Sequence, residues 1–151
     1  MYLTLVDLDP GVVARIIVLV VLVILSGFFS SAETALTTVN KLRIRALTEE
    51  KSKRAIMVSK LIENPSKMLS AILIGNNIVN LSASSLATTL AIEYFQSIGA
   101  GVVTGILTIA ILIFGEITPK SLATANAEKL ALFYAPAILL LIINFARRIA
   151  E

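Results

Sequence analysis

Oxygen-bearing side chains recur at helical steps inside apolar stretches of this chain. Ser30 lies four residues past Ser26, Glu33 and Thr34 lie three and four past Ser30, and Thr37 lies four and three past those two, which places them on one face of a helix. Asn76, Asn80 and Ser84 repeat every fourth residue, and Ser70, Asn77, Asn80 and Ser84 form an overlapping stripe. A third element, Gly115-Glu116-Ile117-Thr118-Pro119-Lys120, interrupts an apolar run. Pro119 has no N–H to offer the carbonyl four residues earlier, so the Gly115 carbonyl is freed beside a carboxylate. The atoms so collected are hydroxyl, amide, carbonyl and carboxylate oxygens. That set suits hard cations such as Mg²⁺, Ca²⁺, Mn²⁺ or Na⁺ over Zn²⁺ or Cu²⁺. With one or two acids present, the chemistry is compatible with either Na⁺ or Mg²⁺. Small polar residues also let membrane helices pack closely, each contact contributing about 0.6–2 kcal/mol. Isolated Ser and Thr need no further explanation, whereas Asn76, Asn77 and Asn80 within five positions exceed it; Asn77 fits either face.

Composition removes most other chemistry. The 151 residues include no Cys and no His, so thiolates, disulfides and imidazole ligands or bases are absent. No paired carboxylates stand where a hydrolytic enzyme would need them, and no catalytic residue or organic cofactor site is expected. The net charge of +3 sits in basic residues beside apolar runs, where it orients a membrane protein and does not point to nucleic acid.

Positioning these residues falls to membrane helices, because 57% of the chain is hydrophobic and the apolar residues come in runs long enough to cross a bilayer. The pattern predicts a first span over 12–37, a cytoplasmic helical loop over 38–64, a second span over 65–92, a third over 98–116 and a juxtamembrane helix over 120–148. The loop carries Lys41, Arg43, Arg45, Lys51, Lys53, Arg54 and Lys60, with Lys67 just beyond it, which assigns it to the cytoplasm. Its apolar residues recur at partly helical spacing, so short helices are expected within it. Asn64-Pro65 reads as an N-cap followed by the first helical residue. Glu93-Tyr94-Phe95-Gln96-Ser97 reads as a short outward turn. Both flanks of the last apolar run are basic, and Pro136 lies within it, which favours a kinked helix along the inner leaflet over a fourth crossing. The expected fold is therefore all-α, with three spans, a kinked juxtamembrane helix, the N-terminus outside and the C-terminus cytoplasmic.

Three motifs carry a family resemblance. Ser26-Gly27-Phe28-Phe29-Ser30-Ser31-Ala32-Glu33-Thr34-Ala35, Ile74-Gly75-Asn76-Asn77-Ile78-Val79-Asn80 and Phe114-Gly115-Glu116-Ile117-Thr118-Pro119-Lys120 occur in the order found in the CNNM/CorC transmembrane domain, which the chain resembles. The resemblance implies a homodimeric plasma-membrane transporter that exports Mg²⁺ in exchange for Na⁺. It carries over Ser26, Ser30, Asn76, Gly115 and Glu116 as ion-site residues, with Ser70 and Asn80 as companions. A membrane anchor or Mg²⁺ sensor that binds the ion without moving it is the alternative. Members of the family continue into a cytoplasmic pair of CBS modules that bind ATP. That region would begin about where this sequence stops at Glu151, so a piece of a longer protein is expected.

Overall fold

A computed structural model of the chain describes residues 9–150. Every element among the described residues is helical. Helix α1 (Pro10–Thr38) opens with Pro10 in its first turn, and the Asp9 carboxylate accepts from the Gly11 amide. Helices α2 (Lys41–Glu49) and α3 (Lys53–Glu63) fill the basic loop, as its spacing predicts. Each begins at a side-chain cap: Asn40 accepts from the Leu42 and Arg43 amides, and Ser52 from the Ala55 amide. Helix α4 (Pro65–Leu112) starts at Pro65 after Asn64, although the Asn64 side chain makes no capping bond. A π-helical turn (Ile113–Ile117), α5 (Thr118–Ala125) and α6 (Ala127–Ala150) complete the chain.

Helical hydrogen bonding runs through α4, yet α4 is not one rod. Ala83 and Ala87 share an apolar cluster with Ile111, whereas a straight helix would hold Ala83 and Ile111 about 40 Å apart. The segment folds back on itself, giving the rods Pro65–Phe95 and Gly99–Ala125. Glu93, Tyr94 and Phe95 of the expected outward turn are exposed, and the Gln96 and Ser97 side chains lie outside the described residues. Together with Pro10–Thr38 and Ala127–Arg147, four helical stretches are long and apolar enough to cross a membrane. By that criterion the last run ranks with the three expected spans.

The third rod is longer than its sequence pattern suggests. Thr118–Ala125 continue it, and the chain changes direction at Asn126 (φ −129°, ψ 36°), so α6 begins at Ala127 and not at residue 120. Leu112, Ile113, Ile117 and Thr118 all keep right-handed helical dihedrals, so the expected interruption at Gly115–Lys120 is a widened turn and not a break. A π turn absorbs one extra residue by shifting its bonds to the fifth residue back, and Thr118 donates to the Ile113 carbonyl in this way.

Residue pairings give the rods their directions. Arg15 pairs with Glu93, Ser26 with Asn80, and Phe29 lies over Gly75, so numbers rise along α1 as they fall along α4. Ser26 meets Gly115, Gly27 meets Pro119, and Glu33 meets Lys120, so α1 and the third rod run parallel. Two close approaches set this packing. A Cβ at Gly75 would stand 2.6 Å from the Phe29 ring, and one at Gly115 would stand 2.9 Å from Ser26 Oγ.

The apolar core lies toward the end of the bundle that α2 and α3 cover. Phe29, Ala32, Ala35 and Leu36 of α1 pack there with Ile44, Val58, Leu61, Met68 and Ile72. Helix α6 adds Ala131, Ala135, Ile138 and Ile142, a buried stripe at four- and three-residue steps. By contrast the first half of α1 exposes Ile16, Ile17, Val20, Val21 and Ile24, the surface expected of a helix whose solvent is lipid.

Candidate cation site

Where α1 crosses the other two rods, oxygens replace hydrocarbon. Ser26 is 1% exposed, and its hydroxyl stands 2.6 Å from Asn80 Oδ1 and 3.1 Å from the Gly115 carbonyl oxygen. A hydroxyl carries one proton, so it satisfies one of these acceptors at a time while its own lone pairs remain. One turn farther along α1 is Ser30, and one turn back along α4 is Asn76, so the antiparallel pair places them on the next level. Both are buried, and Ser30 Oγ and Asn76 Oδ1 have no hydrogen-bond partner. An unsatisfied buried polar group costs about 1–3 kcal/mol, which a bound cation or ordered water offsets.

Pro119 offers no N–H to the Gly115 carbonyl four residues back, and that carbonyl accepts from the Ser26 hydroxyl. What the tertiary structure adds is its partner: the missing side chain at Gly115 admits the Ser26 hydroxyl. Glu116 follows on the same turn. Its side chain lines a small cleft with Ser26, Asn80, Ser84, Thr108, Ile111 and Leu112, with a water-accessible volume of about 80 Å³. That is room for a few waters, or for a cation that keeps part of its hydration shell.

Six of the seven expected residues thus gather on two adjacent levels of one helix crossing: Ser26, Asn80, Gly115 and Glu116 on one, Ser30 and Asn76 on the other. Ser70 does not join them. It is exposed, six residues before Asn76, and lines a groove with Ser66, Lys67, Ile142, Phe145 and Ala146. Asn77, whose facing the periodicity leaves open, is exposed.

Glu33 and Lys120 complete the arrangement. Lys120 Nζ lies 3.2 Å from Glu116 Oε1 and 3.6 Å from Glu33 Oε2, joining an acid of α1 to one of the third rod. The sequence pattern alone leaves Lys120 out of the site. Its signal is the four-residue step from Glu116, a spacing that pairs side chains on a helix. No group of three or more acidic residues converges among the described residues, so the oxygens at the crossing are mainly neutral.

A family profile described as the Cyclin M transmembrane N-terminal domain matches residues 17–147. A UPF0053 protein of Haemophilus influenzae is 44% identical over 117 residues, covering 78% of this chain and 28% of the relative. The UPF0053 inner membrane protein YfjD of Escherichia coli K12 is 38% identical over 107 residues, 71% of this chain and 25% of its own length. A chloroplastic DUF21 domain-containing protein of Arabidopsis thaliana is 40% identical over 115 residues, 76% of this chain and 18% of that protein. The chain therefore spans about a quarter or less of these relatives.

Proposed function

Because the chain belongs to the Cyclin M transmembrane-domain family, we propose that it is the ion-conducting part of a divalent-cation transporter that exports Mg²⁺ in exchange for Na⁺. The observation that carries this reading is the pair of oxygen levels at the crossing: one hydroxyl facing two acceptors, and two buried oxygens with no protein partner. Ser26, Ser30, Asn76, Asn80 and the Gly115 carbonyl supply neutral oxygens, and Glu116 supplies charge. Mg²⁺ sheds water reluctantly and needs several converging oxygens. A cleft that admits some of its waters lowers that demand.

The reading has three spans with α6 lying along the inner leaflet. Its support is that α6 begins beside the end of the third rod, and its far end, Ile142, Phe145 and Ala146, shares a groove with Ser66 and Lys67 at the start of the second. A crossing helix would carry Phe145 about 27 Å from Ala127, to the side of Glu93. On this reading α2, α3 and α6 are cytoplasmic, the N-terminus of α1 faces outward, and the protein works as a homodimer in the plasma membrane. On the same reading ATP acts only through a cytoplasmic CBS pair, as the family resemblance implies.

The test is Mg²⁺ flux into proteoliposomes with and without an opposing Na⁺ gradient. Wild-type flux that depends on Na⁺ and falls at least about tenfold in Asn76→Ala and Glu116→Gln is the expected outcome. Wild-type rates in both variants would remove the crossing from the transport path. Saturable Mg²⁺ binding without flux would turn the reading toward a membrane-bound sensor.

A further inference from the structure

Resting on the cation-site reading, we propose that Lys120 is a tethered counter-cation that competes with the cargo ion for Glu116, and that Glu33 is the positioning carboxylate that receives it when cargo arrives. The geometry places one ammonium between two acids carried on different helices, 3.2 Å from one and 3.6 Å from the other. Glu116 alone of these acids lines the cleft beside Ser26 and Asn80. Glu33 stands two turns beyond Ser26 on α1, outside that lining. The Pro119 ring lies where a Cβ at Gly27 would meet it at 3.1 Å, so α5 is held against α1 and Lys120 has Glu33 within reach. All three side chains are about one-third exposed, which leaves Lys120 free to shift from one oxygen to the other.

Charge gives the arrangement its consequence. Two carboxylates and one ammonium leave the cluster at −1, so an arriving cation meets both the attraction of Glu116 and the repulsion of Lys120. That repulsion scales with the charge of the cargo. Lys120 therefore weakens a divalent ion more than a monovalent one and keeps the site from holding either too tightly to release. Transfer of its ammonium to Glu33 frees Glu116 without leaving a charge unpaired.

Isothermal titration of the purified protein in detergent, with MgCl₂ and NaCl separately at low ionic strength, tests this. Lys120→Gln should tighten Na⁺ about threefold and Mg²⁺ about tenfold, the divalent change being the square of the monovalent one. Lys120→Arg should restore wild-type values. Glu33→Gln should weaken Mg²⁺ about tenfold, because Lys120 then rests on Glu116 alone. A misfolded variant does not bind more tightly, so the sign of the Lys120→Gln effect is decisive. Unchanged or weaker Mg²⁺ binding in Lys120→Gln, with binding still lost in Glu116→Gln, would overturn the counter-cation role and leave the cation site standing. If Lys120→Gln does not fold, unchanged Mg²⁺ affinity in Glu33→Gln overturns it equally. Wild-type Mg²⁺ binding in Glu116→Gln would instead refute the site itself.

Discussion

Asn76 is buried where its amide oxygen works against the stability of the fold. Its Oδ1 is buried without a partner, and so is the neighbouring Ser30 Oγ. A protein selected only for stability would fill this position with an apolar side chain of similar size. Asn76→Leu should therefore raise stability in the absence of divalent ions by about 1–3 kcal/mol, the desolvation penalty of the unpartnered amide oxygen. MgCl₂ should stabilise the wild type and the same substitution should abolish that effect, since a ligand stabilises only the state that binds it. Thermal unfolding in detergent with and without MgCl₂ measures both. Lower stability without ions, together with a retained MgCl₂ effect, would make Asn76 an ordinary packing residue.

At the scale of the element, α1 and the second rod approach closely because Gly75 has no side chain to keep Phe29 away. A Cβ at Gly75, 2.6 Å from the ring, would lie well inside van der Waals contact, and the neighbour is rigid. Gly75→Ala must push the two helices apart or turn Phe29 from its rotamer, at a cost of about 1–3 kcal/mol. Because Ser26–Asn80 and Ser30–Asn76 span the same crossing, the separation should weaken Mg²⁺ binding as well. Gly101→Ala is the control: a Cβ there meets nothing within 4 Å, and no loss of binding is expected. Equal Mg²⁺ affinity and equal melting temperature in Gly75→Ala and wild type would show that the crossing yields without penalty.

For the whole molecule, the question is how many times the chain passes through the bilayer. The absence of native Cys makes single-cysteine labelling clean. Ser66→Cys, Tyr94→Cys and Asn144→Cys all fall at exposed positions, near the start of the second rod, near its end and near the end of α6. With α6 along the inner leaflet, a membrane-impermeant maleimide should label Ser66→Cys and Asn144→Cys from the same side and Tyr94→Cys from the opposite one. Labelling of Asn144→Cys together with Tyr94→Cys would make α6 a fourth crossing.

Much of this architecture is legible in the order of residues. Apolar runs of membrane length, a basic loop and polar residues at helical steps determine an all-helical membrane fold and the faces on which oxygens collect, because these are one-dimensional properties. A residue's helical face follows from its number, and an apolar run has only a helix in which to satisfy its backbone inside lipid. The missing N–H four residues after Gly115 is equally local, a consequence of Pro119. The tertiary structure decided what depends on relative placement: that the Ser26 hydroxyl enters the space left at Gly115, that Ser70 faces α6 and not the crossing, and that the third rod continues through a π turn to Ala125. It also brought Glu33 within reach of Lys120. Their separation in sequence carries no information about their distance; only the parallel packing of α1 against the third rod, held by Gly27 and Pro119, brings the two charges together.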